Sequence, residues 1–162
     1  MTRAYRRRSA RVLLVDEWDR ILLFRSRVPP DGHAWYTPGG GIDPGESLPV
    51  AAARELREET GLVVAPEALG APVAYTSGFA DLGWASGWFR DDLFYHRTAG
   101  HVVDTSGFQE LEAGSIVGHR WWTVAELARA TEPVYPLGLA ELLADLVTGR
   151  LPAEPVELLW HH

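Results

Sequence analysis

A cluster of acidic residues is the part of this sequence whose residue types most directly suggest chemistry. Glu55, Glu58 and Glu59 stand at spacings i, i+3 and i+4. A helix turns by about 100° per residue, so this spacing places all three carboxylates within an arc of roughly 100°. They repel each other unless a cation neutralises them, and clustered carboxylate oxygens suit Mg²⁺ or Mn²⁺. We interpret them as ligands of a divalent cation; the alternative is a solvated helix face with intrahelical Arg–Glu pairs.

The helix that carries these glutamates is predicted to run from Leu48 to Thr60. Ser47 is a suitable N-cap, and Gly61 stands where many helices end in a left-handed residue. The side opposite the glutamates, predicted to be buried, consists of Val50, Ala53, Leu56 and Thr60. A glycine-rich loop over residues 38–46 leads directly into the helix, and glycines let backbone groups approach a metal or phosphate closely. This succession favours a metal–phosphate site over a solvated helix.

The loop and helix together resemble the complete Nudix box. Gly40, Glu46 and the run Arg54-Glu55-Leu56-x-Glu58-Glu59-x-Gly61-Leu62 match every fixed position of this pattern, which covers residues 40–62. The resemblance implies an α+β fold of the Nudix type, an α/β/α sandwich with a mixed β-sheet. It also implies metal-dependent hydrolysis of a diphosphate bond in a nucleotide-like substrate, in which the metal screens phosphate charge and activates a water.

The same resemblance implies roles for individual residues. Arg54 would orient the glutamates by salt bridges, Glu46 would support the loop–helix geometry, and Gly40 would lie against the bound cofactor. The divalent ions, Mg²⁺ or Mn²⁺, would be held by the Gly39 carbonyl, Glu55, Glu58 and Glu59.

A further carboxylate is expected from a distant loop, because members of the family commonly add one. Glu112 is the first candidate and Glu110 the second, since both precede the predicted strand at residues 120–122. Either Glu59 or Glu112 would act as the general base. Arg25 and Arg27, beside the second predicted strand, are candidates to hold a distal phosphate, with solvated strand-end arginines as the alternative.

The order of elements predicts a mixed sheet sandwiched by helices rather than a doubly wound fold. Alternating apolar runs and turn residues predict strands at residues 11–15, 20–24, 34–37, 62–65, 71–76, 88–96 and 120–122. Thr123 and Glu126 form a capping box for a helix to about residue 130, and a last helix follows over residues 137–147. We interpret residues 1–162 as a single Nudix domain, with a basic N-terminal arm at 1–9 and a C-terminal tail at 150–162.

Composition narrows the classes of function and partner. The 162 residues carry a net charge of −7, which makes a nucleic-acid partner unlikely and favours a small-molecule nucleotide. The absence of cysteine excludes disulfides and a cysteine nucleophile. No apolar run approaches the roughly 20 residues that span a bilayer, so no membrane partner and a cytoplasmic location are expected. Many Nudix relatives are dimers, which leaves a homodimer possible.

The substrate is the least determined part of the interpretation. Candidates for stacking on a base are Trp35, Tyr36, Phe79, Trp84 and Trp88, each with a packing role as the alternative. The downstream markers of the ADP-ribose, dinucleoside-polyphosphate and NADH subgroups are absent, which leaves a nucleoside triphosphate by elimination. Two alternatives remain open: a catalytically silent nucleotide-binding or regulatory module, and an RNA cap hydrolase that uses the basic arm.

Overall fold

The computed structural model describes residues 4–108 and 115–160. Within these residues the chain forms one mixed sheet and three α-helices. The strands are β1 (Arg7–Val15), β2 (Ile21–Val28), β3 (Gly32–Tyr36), β4 (Gly39–Gly41), β5 (Ala74–Asp81), β6 (Ser86–Arg97), β7 (Ile116–Trp122), β8 (Val134–Tyr135) and β9 (Val156–Leu158). The helices are α1 (Leu48–Thr60), α2 (Val124–Ala128) and α3 (Leu139–Val147), with a 3₁₀ turn at Pro66–Leu69.

The strand β1 organises the sheet because it pairs along both of its edges. It runs parallel to β6 over its whole length on one edge. On the other edge it pairs with β4 near its start and with β2 only beside the connecting turn. β2 therefore diverges from β1 and pairs with β3 and β7. The order β8-β3-β2-β1-β6-β5-β9, with antiparallel and parallel pairs, confirms the predicted mixed sheet.

Each face of the sheet packs against helices. Because side chains alternate along a strand, Val12 and Leu14 of β1 belong to the core cluster under α1, whereas Leu13 and Val15 belong to the cluster that contains the α3 leucines. All four residues are fully buried, as expected of a strand covered on both faces. The structure thus confirms the α/β/α sandwich.

Helix α1 has the predicted ends. The Ser47 hydroxyl accepts a hydrogen bond from the Val50 amide, and Gly61 adopts φ 76° and donates its N–H to the Arg57 carbonyl. The predicted buried face was partly wrong, because Val50 is 42% exposed. The buried side of the helix consists of Ala51, Ala52, Glu55, Leu56, Glu59 and Thr60. The helix is therefore rotated so that part of its acidic stripe faces the protein.

Other predicted elements differ from the structure at their boundaries. Residues 62–65 are not a strand: Leu62 and Val64 pack on the core under α1, which explains the strand-like alternation, but the segment makes no sheet ladder. Gly39–Gly41, predicted as loop, form β4. β7 begins at Ile116 rather than at residue 120, because Ile116 pairs with Ser26. The predicted arm and tail contribute the start of β1 and all of β9.

A polar network ties the segment before β8 to the sheet. The Glu132 carboxylate accepts two hydrogen bonds from Arg25, at 2.9 and 2.6 Å, and one from the Trp35 indole at 2.9 Å. These hydrogen bonds, with Arg25 contributing most, lower the pKa of Glu132 to about 2. Because the pKa in the folded protein lies below its ordinary value, this stabilisation is present above about pH 4.5 and is lost as the pH falls toward 2.

We expect Glu132→Gln to lower the thermal unfolding temperature at pH 7, because a neutral amide cannot replace the charge-assisted pair with Arg25. The difference from the wild type should narrow as the pH falls from about 5 to about 3. Thermal unfolding followed by circular dichroism measures both effects. The exposed Glu154→Gln is the control, and an equal loss in both variants would contradict the prediction.

Candidate active site

The acidic stripe of α1 is not solvated. Glu55 and Glu59 are each only 5% exposed, and Glu58 is half-buried. A carboxylate loses hydration energy on burial and is stable there only with partners. The structure supplies such partners from Arg54 on the same helix and from the preceding glycine loop.

Arg54 is the shared partner of the acidic residues. Its guanidinium contacts Glu46 at 2.7 and 2.9 Å, Glu55 at 3.0 Å and Glu58 at 3.4 Å, and donates to the Gly41 carbonyl at 3.1 Å. The hydrogen bonds to Glu46 are the largest cause of a strongly raised Arg54 pKa, and Arg54 in turn lowers the pKa of Glu46. One guanidinium thus contacts three carboxylates and the loop.

The glycines of β4 bring the backbone against these carboxylates. The Gly39 amide donates to Glu59 Oε2 at 3.0 Å. Gly39 has φ 143°, and a Cβ there would lie 2.4 Å from the Ala10 carbonyl oxygen, so only glycine fits. A Cβ on Gly40 would lie 2.6 Å from Glu55 Oε1. Gly39 is therefore required for the close approach of the loop to β1, and Gly40 leaves the space that the Glu55 carboxylate of α1 occupies.

The loop at residues 101–108 closes the other end of α1. His101 Nε2 lies 2.7 Å from the Thr60 carbonyl oxygen, and the Asp104 amide donates to the same oxygen at 2.9 Å. A Cβ on Gly107 would lie 2.7 Å from the Glu58 carbonyl oxygen. This loop is packed tightly on the turn that carries Glu58, and it brings Phe108 to the cleft beside Glu59.

That cleft has a volume of about 150 Å³ and is lined by five separate parts of the chain. Its lining combines polar and aromatic groups: Arg11, Phe24, Ser26, Tyr36, Thr37, Gly39, Glu59, Phe108, Ser115 and Ile116. Arg11 donates to the Thr37 carbonyl at 2.9 Å. The Thr37 hydroxyl is buried without a hydrogen-bond partner in the described part of the chain. A buried hydroxyl is stable only with a hydrogen-bond partner, so we expect a water or a bound ligand beside Thr37.

Among residues 4–108 and 115–160, no three acidic or histidine side chains are arranged as a metal cage. Glu55 and Glu58 turn toward Arg54, whereas Glu59 turns toward Gly39. The donor set nevertheless fits a divalent cation, because Glu46, Glu55, Glu58 and Glu59 offer hard oxygens in a charge excess that Arg54 only partly balances. Gly40 leaves room for the Glu55 carboxylate beside the loop.

The structure brings together most, but not all, of the predicted site residues. Gly39, Gly40, Arg54 and the three α1 glutamates meet at one place. Arg25 does not join them: its guanidinium is bound to Glu132 on the α3 side of the sheet. Glu110 and Glu112 lie outside the described residues and stay predictions. Phe108 and Ser115, which flank that segment, both line the cleft.

Sequence reasoning missed the cleft residues Arg11 and Thr37. Each belongs to a different strand or strand end and carries no motif of its own. The sequence feature that could have pointed to them is a polar residue at the edge of an apolar run. Arg11 directly precedes the apolar residues of β1, and Thr37 follows Tyr36 just before the glycine loop. Only the pairing of β1 with β4 brings the two together.

The aromatic candidates divide into three groups. Trp35 is core, packed edge-on against Trp122 at 4.9 Å between ring centroids. Tyr36 lines the cleft and lies 5.4 Å from the Tyr135 ring. Phe79 and Trp84 are 54% and 69% exposed at the β5–β6 hairpin, where Trp88 packs against Phe79. Tyr36 is therefore the one of these five candidates that lies at the cleft.

A mixed sheet between helices, with a glycine loop pressed against an acidic helix, defines the class of fold. Solved structures with this fold include the ORF135 protein of E. coli, with a TM-score of 0.63 at 22% identity over 91% of this chain and 94% of that one. The NUDIX domain of Shewanella oneidensis NrtR, complexed with ADP ribose, gives 0.60 at 20% identity over 90% of each chain. At these identities the similarity establishes the fold alone.

The sequence places the chain within a family. The NUDIX domain model matches residues 5–145, so the chain belongs to the Nudix hydrolase family. An RNA pyrophosphohydrolase of Novosphingobium aromaticivorans is 51% identical over 51 residues, 32% of each chain. A putative 8-oxo-dGTP diphosphatase of Bacillus subtilis is 46% identical over 50 residues, 31% of this chain and 32% of that one. These matches span about a third of the relatives' length.

A longer but weaker match reaches most of the chain. Diphosphoinositol polyphosphate phosphohydrolase 2 of Rattus norvegicus is 29% identical over 140 residues, 85% of this chain and 68% of that one. The names of these relatives point to different substrates. No helix in the described part of this chain is both long and apolar enough to cross a membrane.

We expect Gly39→Ala to lower the free energy of unfolding by about 1–3 kcal/mol, because its Cβ would overlap the backbone of Ala10 and Arg11, which cannot move aside as a flexible side chain can. Chemical denaturation measures this change. Gly118→Ala is the control, since its Cβ would meet no atom within 4 Å. Equal stability of the two variants would show that the loop does not pack closely against β1.

Proposed function

We propose that this protein hydrolyses a phosphoanhydride bond in a nucleoside-diphosphate-linked substrate with Mg²⁺ or Mn²⁺ as cofactor. The observation that carries the proposal is the concentration of carboxylates around the single guanidinium of Arg54, at the edge of a cleft lined by Glu59 and Gly39. An acidic site of this kind repels a diphosphate unless a divalent cation lies between them.

Glu55, Glu58 and Glu59 are the side chains that would hold the cation, with the Gly39 carbonyl beside them. When bound, the divalent cation screens the diphosphate charge and activates a water for attack at phosphorus. Arg54 keeps the Glu55 and Glu58 carboxylates oriented through fixed, planar donors. Either Glu59 or Glu112 accepts the proton of the attacking water.

A nucleoside triphosphate or a related nucleotide is the proposed substrate. The cleft combines aromatic walls from Phe24, Tyr36 and Phe108 with the polar groups of Arg11 and Thr37. Such a lining suits a flat ring with a polar edge. The match to a protein named as a putative 8-oxo-dGTP diphosphatase supports this class.

An RNA with a 5′ diphosphate or triphosphate is the second candidate substrate. Two observations favour it: the 51% identity over 51 residues with a protein named RNA pyrophosphohydrolase, and the arginines Arg6, Arg7 and Arg8 that lead into β1 next to the glycine loop. Arg7 packs against Gly41, where a Cβ would lie 3.0 Å from its Nη2 atom. A catalytically silent binding module is less favoured, since the chain retains all three metal-site glutamates.

Glu58→Gln is expected to lower turnover by about two orders of magnitude or more, because it removes one charge from the cation site and leaves the fold intact. The assay measures phosphate-containing products from nucleoside triphosphates, oxidised nucleotides, ADP-ribose, dinucleoside polyphosphates and 5′-triphosphate or capped RNA, with Mg²⁺, Mn²⁺ or chelator. Glu141→Gln, on the exposed side of α3, is the control. Turnover that survives in chelator, or equally in Glu58→Gln, would refute the proposal.

Arg54→Lys should lower kcat/KM at least about tenfold although it preserves the charge. A lysine ammonium cannot hold Glu46, Glu55 and Glu58 at once, and losing one charge-assisted hydrogen bond costs about this much. Mn²⁺ titration calorimetry should show weaker binding in the same variant. Arg57→Lys, on the exposed side of the same helix, should match the wild type. Normal kinetics and Mn²⁺ affinity in Arg54→Lys would exclude the orienting role.

A further inference from the structure

Outside the acidic site, the α1 side of the sheet carries a group of arginines and aromatic residues. Four of them lie on β1, β5 and β6, where Arg8 pairs in register with Arg90, and Phe79 with Trp88. Arg6 directly precedes β1, and Trp84 lies in the turn between β5 and β6. The Arg6 amide donates to the Trp88 carbonyl at 2.7 Å, which continues the β1–β6 ladder. The group, which we call the arginine–aromatic face, consists of Arg6, Arg8, Phe79, Trp84, Trp88 and Arg90.

A buried aspartate fixes two of these arginines. Asp92 is 2% exposed, and its carboxylate binds Arg8 Nη2 at 2.7 Å and Arg90 Nη2 at 3.1 Å. The Arg90 guanidinium also stacks over the Tyr75 ring at 4.1 Å. One carboxylate thus holds two guanidinium groups whose side chains stay 40% and 26% exposed. The pair presents positive charge in fixed positions, which suits the phosphates of a strand.

Aromatic residues lie toward the hairpin end of the same face, because Trp88 stands two residues before Arg90 on β6. Phe79 and Trp84 are more than half exposed, and the Phe79 and Trp88 rings meet edge-to-face at 6.0 Å between centroids. Exposed aromatic rings beside arginines are the combination with which proteins stack successive bases of a single strand while tracking its backbone. An apolar protein partner would leave the fixed arginines facing an uncharged surface.

The face is continuous with the acidic site. The Ile42 amide, directly after β4, donates to the Arg8 carbonyl at 3.1 Å, so Arg8 adjoins the glycine loop. From Asp92 to Trp88, β6 covers four residues, about 13 Å at the usual rise of a strand. A strand bound across this face therefore has one end beside the glycine loop and the other at the β5–β6 hairpin.

We propose that the arginine–aromatic face binds single-stranded RNA whose 5′ diphosphate enters the acidic site. This inference rests on the proposed function in its RNA form. The net charge of −7 made nucleic acid unlikely for the molecule as a whole. Charge is not evenly distributed, however, and at the Arg8–Arg90 pair two guanidinium groups share one carboxylate. At this pair the guanidinium groups outnumber the carboxylate that they share, although Glu157 lies near by, hydrogen-bonded to Tyr75 at 3.3 Å. A phosphate backbone would contact these two guanidinium groups.

The test measures binding without hydrolysis. An RNA octamer with a 5′ hydroxyl and a 3′ fluorophore is titrated with the full chain in chelator, and its anisotropy is recorded at several salt concentrations. Phe79→Ala and Trp84→Ala should each raise the Kd about fivefold or more through the loss of one stacked base. Arg6→Ala should reduce the slope of log Kd against log salt concentration by about 0.7 through the loss of one phosphate contact.

Matched controls come from surfaces away from the face. Trp18, 67% exposed at the β1–β2 turn, and Arg150, exposed after α3, are replaced by alanine and should bind the octamer as the wild type does. Circular dichroism verifies the fold of every variant. Absence of octamer binding by the wild type, or equal losses in the controls, would overturn the inference. The inference would also be overturned if Trp84→Ala changed the protein from dimer to monomer, measured by light scattering, without changing its affinity for RNA.

The two proposals fail in different ways. If nucleoside triphosphates are hydrolysed in a metal-dependent way while the octamer does not bind, the RNA face is wrong and the proposed hydrolase stands. If the octamer binds as expected but neither nucleotides nor 5′-triphosphate RNA are hydrolysed, the hydrolase proposal fails, and with it the entry of the 5′ end into the acidic site.

Discussion

The contact of Arg54 with several carboxylates is the interaction on which the acidic site depends. Its guanidinium reaches Glu46 in the loop, Glu55 and Glu58 on the helix, and the Gly41 carbonyl in β4. Without this shared cation, the buried negative charges would repel each other and drive α1 away from the loop. Because Arg54 supplies only one positive charge, the cluster keeps an excess of negative charge that an added cation can balance. The contact thus keeps the site folded while leaving it electrostatically incomplete.

The sheet makes this contact possible through the two-sided packing of β1. Its apolar residues alternate between the α1 core and the α3 core. A shift of β1 by one residue in register would therefore move each row of side chains out of its core. Because the position of β1 is fixed, the pairing of Gly39–Gly41 with Ser9–Arg11 determines where along β1 the glycine loop lies. Leu56, a fully buried residue of α1, then fixes the rotation of the helix that turns Glu55 and Glu59 toward the loop.

The parts of this arrangement that could be predicted from sequence are those determined by nearby residues. The ends of α1 follow from Ser47 and Gly61, and the order of elements was enough for the mixed sheet between helices. The rotation of α1 about its axis was not predictable. A helical wheel gives the angles between Val50 and the glutamates but does not show which side of the helix packs against the loop. The cleft could not be predicted either, since Arg11 and Thr37 meet through the pairing of β1 with β4, and Phe108 joins them from a loop distant in sequence. Residues 62–65 alternate like a strand because of packing, not pairing.

The divergence of β1 from β2 also explains how one chain presents opposite charges close together. On one edge of β1, the glycine loop draws the glutamates of α1 toward the sheet; on the other edge, β6 aligns Arg90 with Arg8. The carboxylates at the first edge are partly neutralised by Arg54, and Asp92 partly neutralises the arginines at the second. A phosphate chain that contacts both edges would be attracted at the basic one and would require a cation at the acidic one. The net charge of the whole chain does not reveal this difference between the two edges. The difference arises from the register in which β4 and β6 pair with β1.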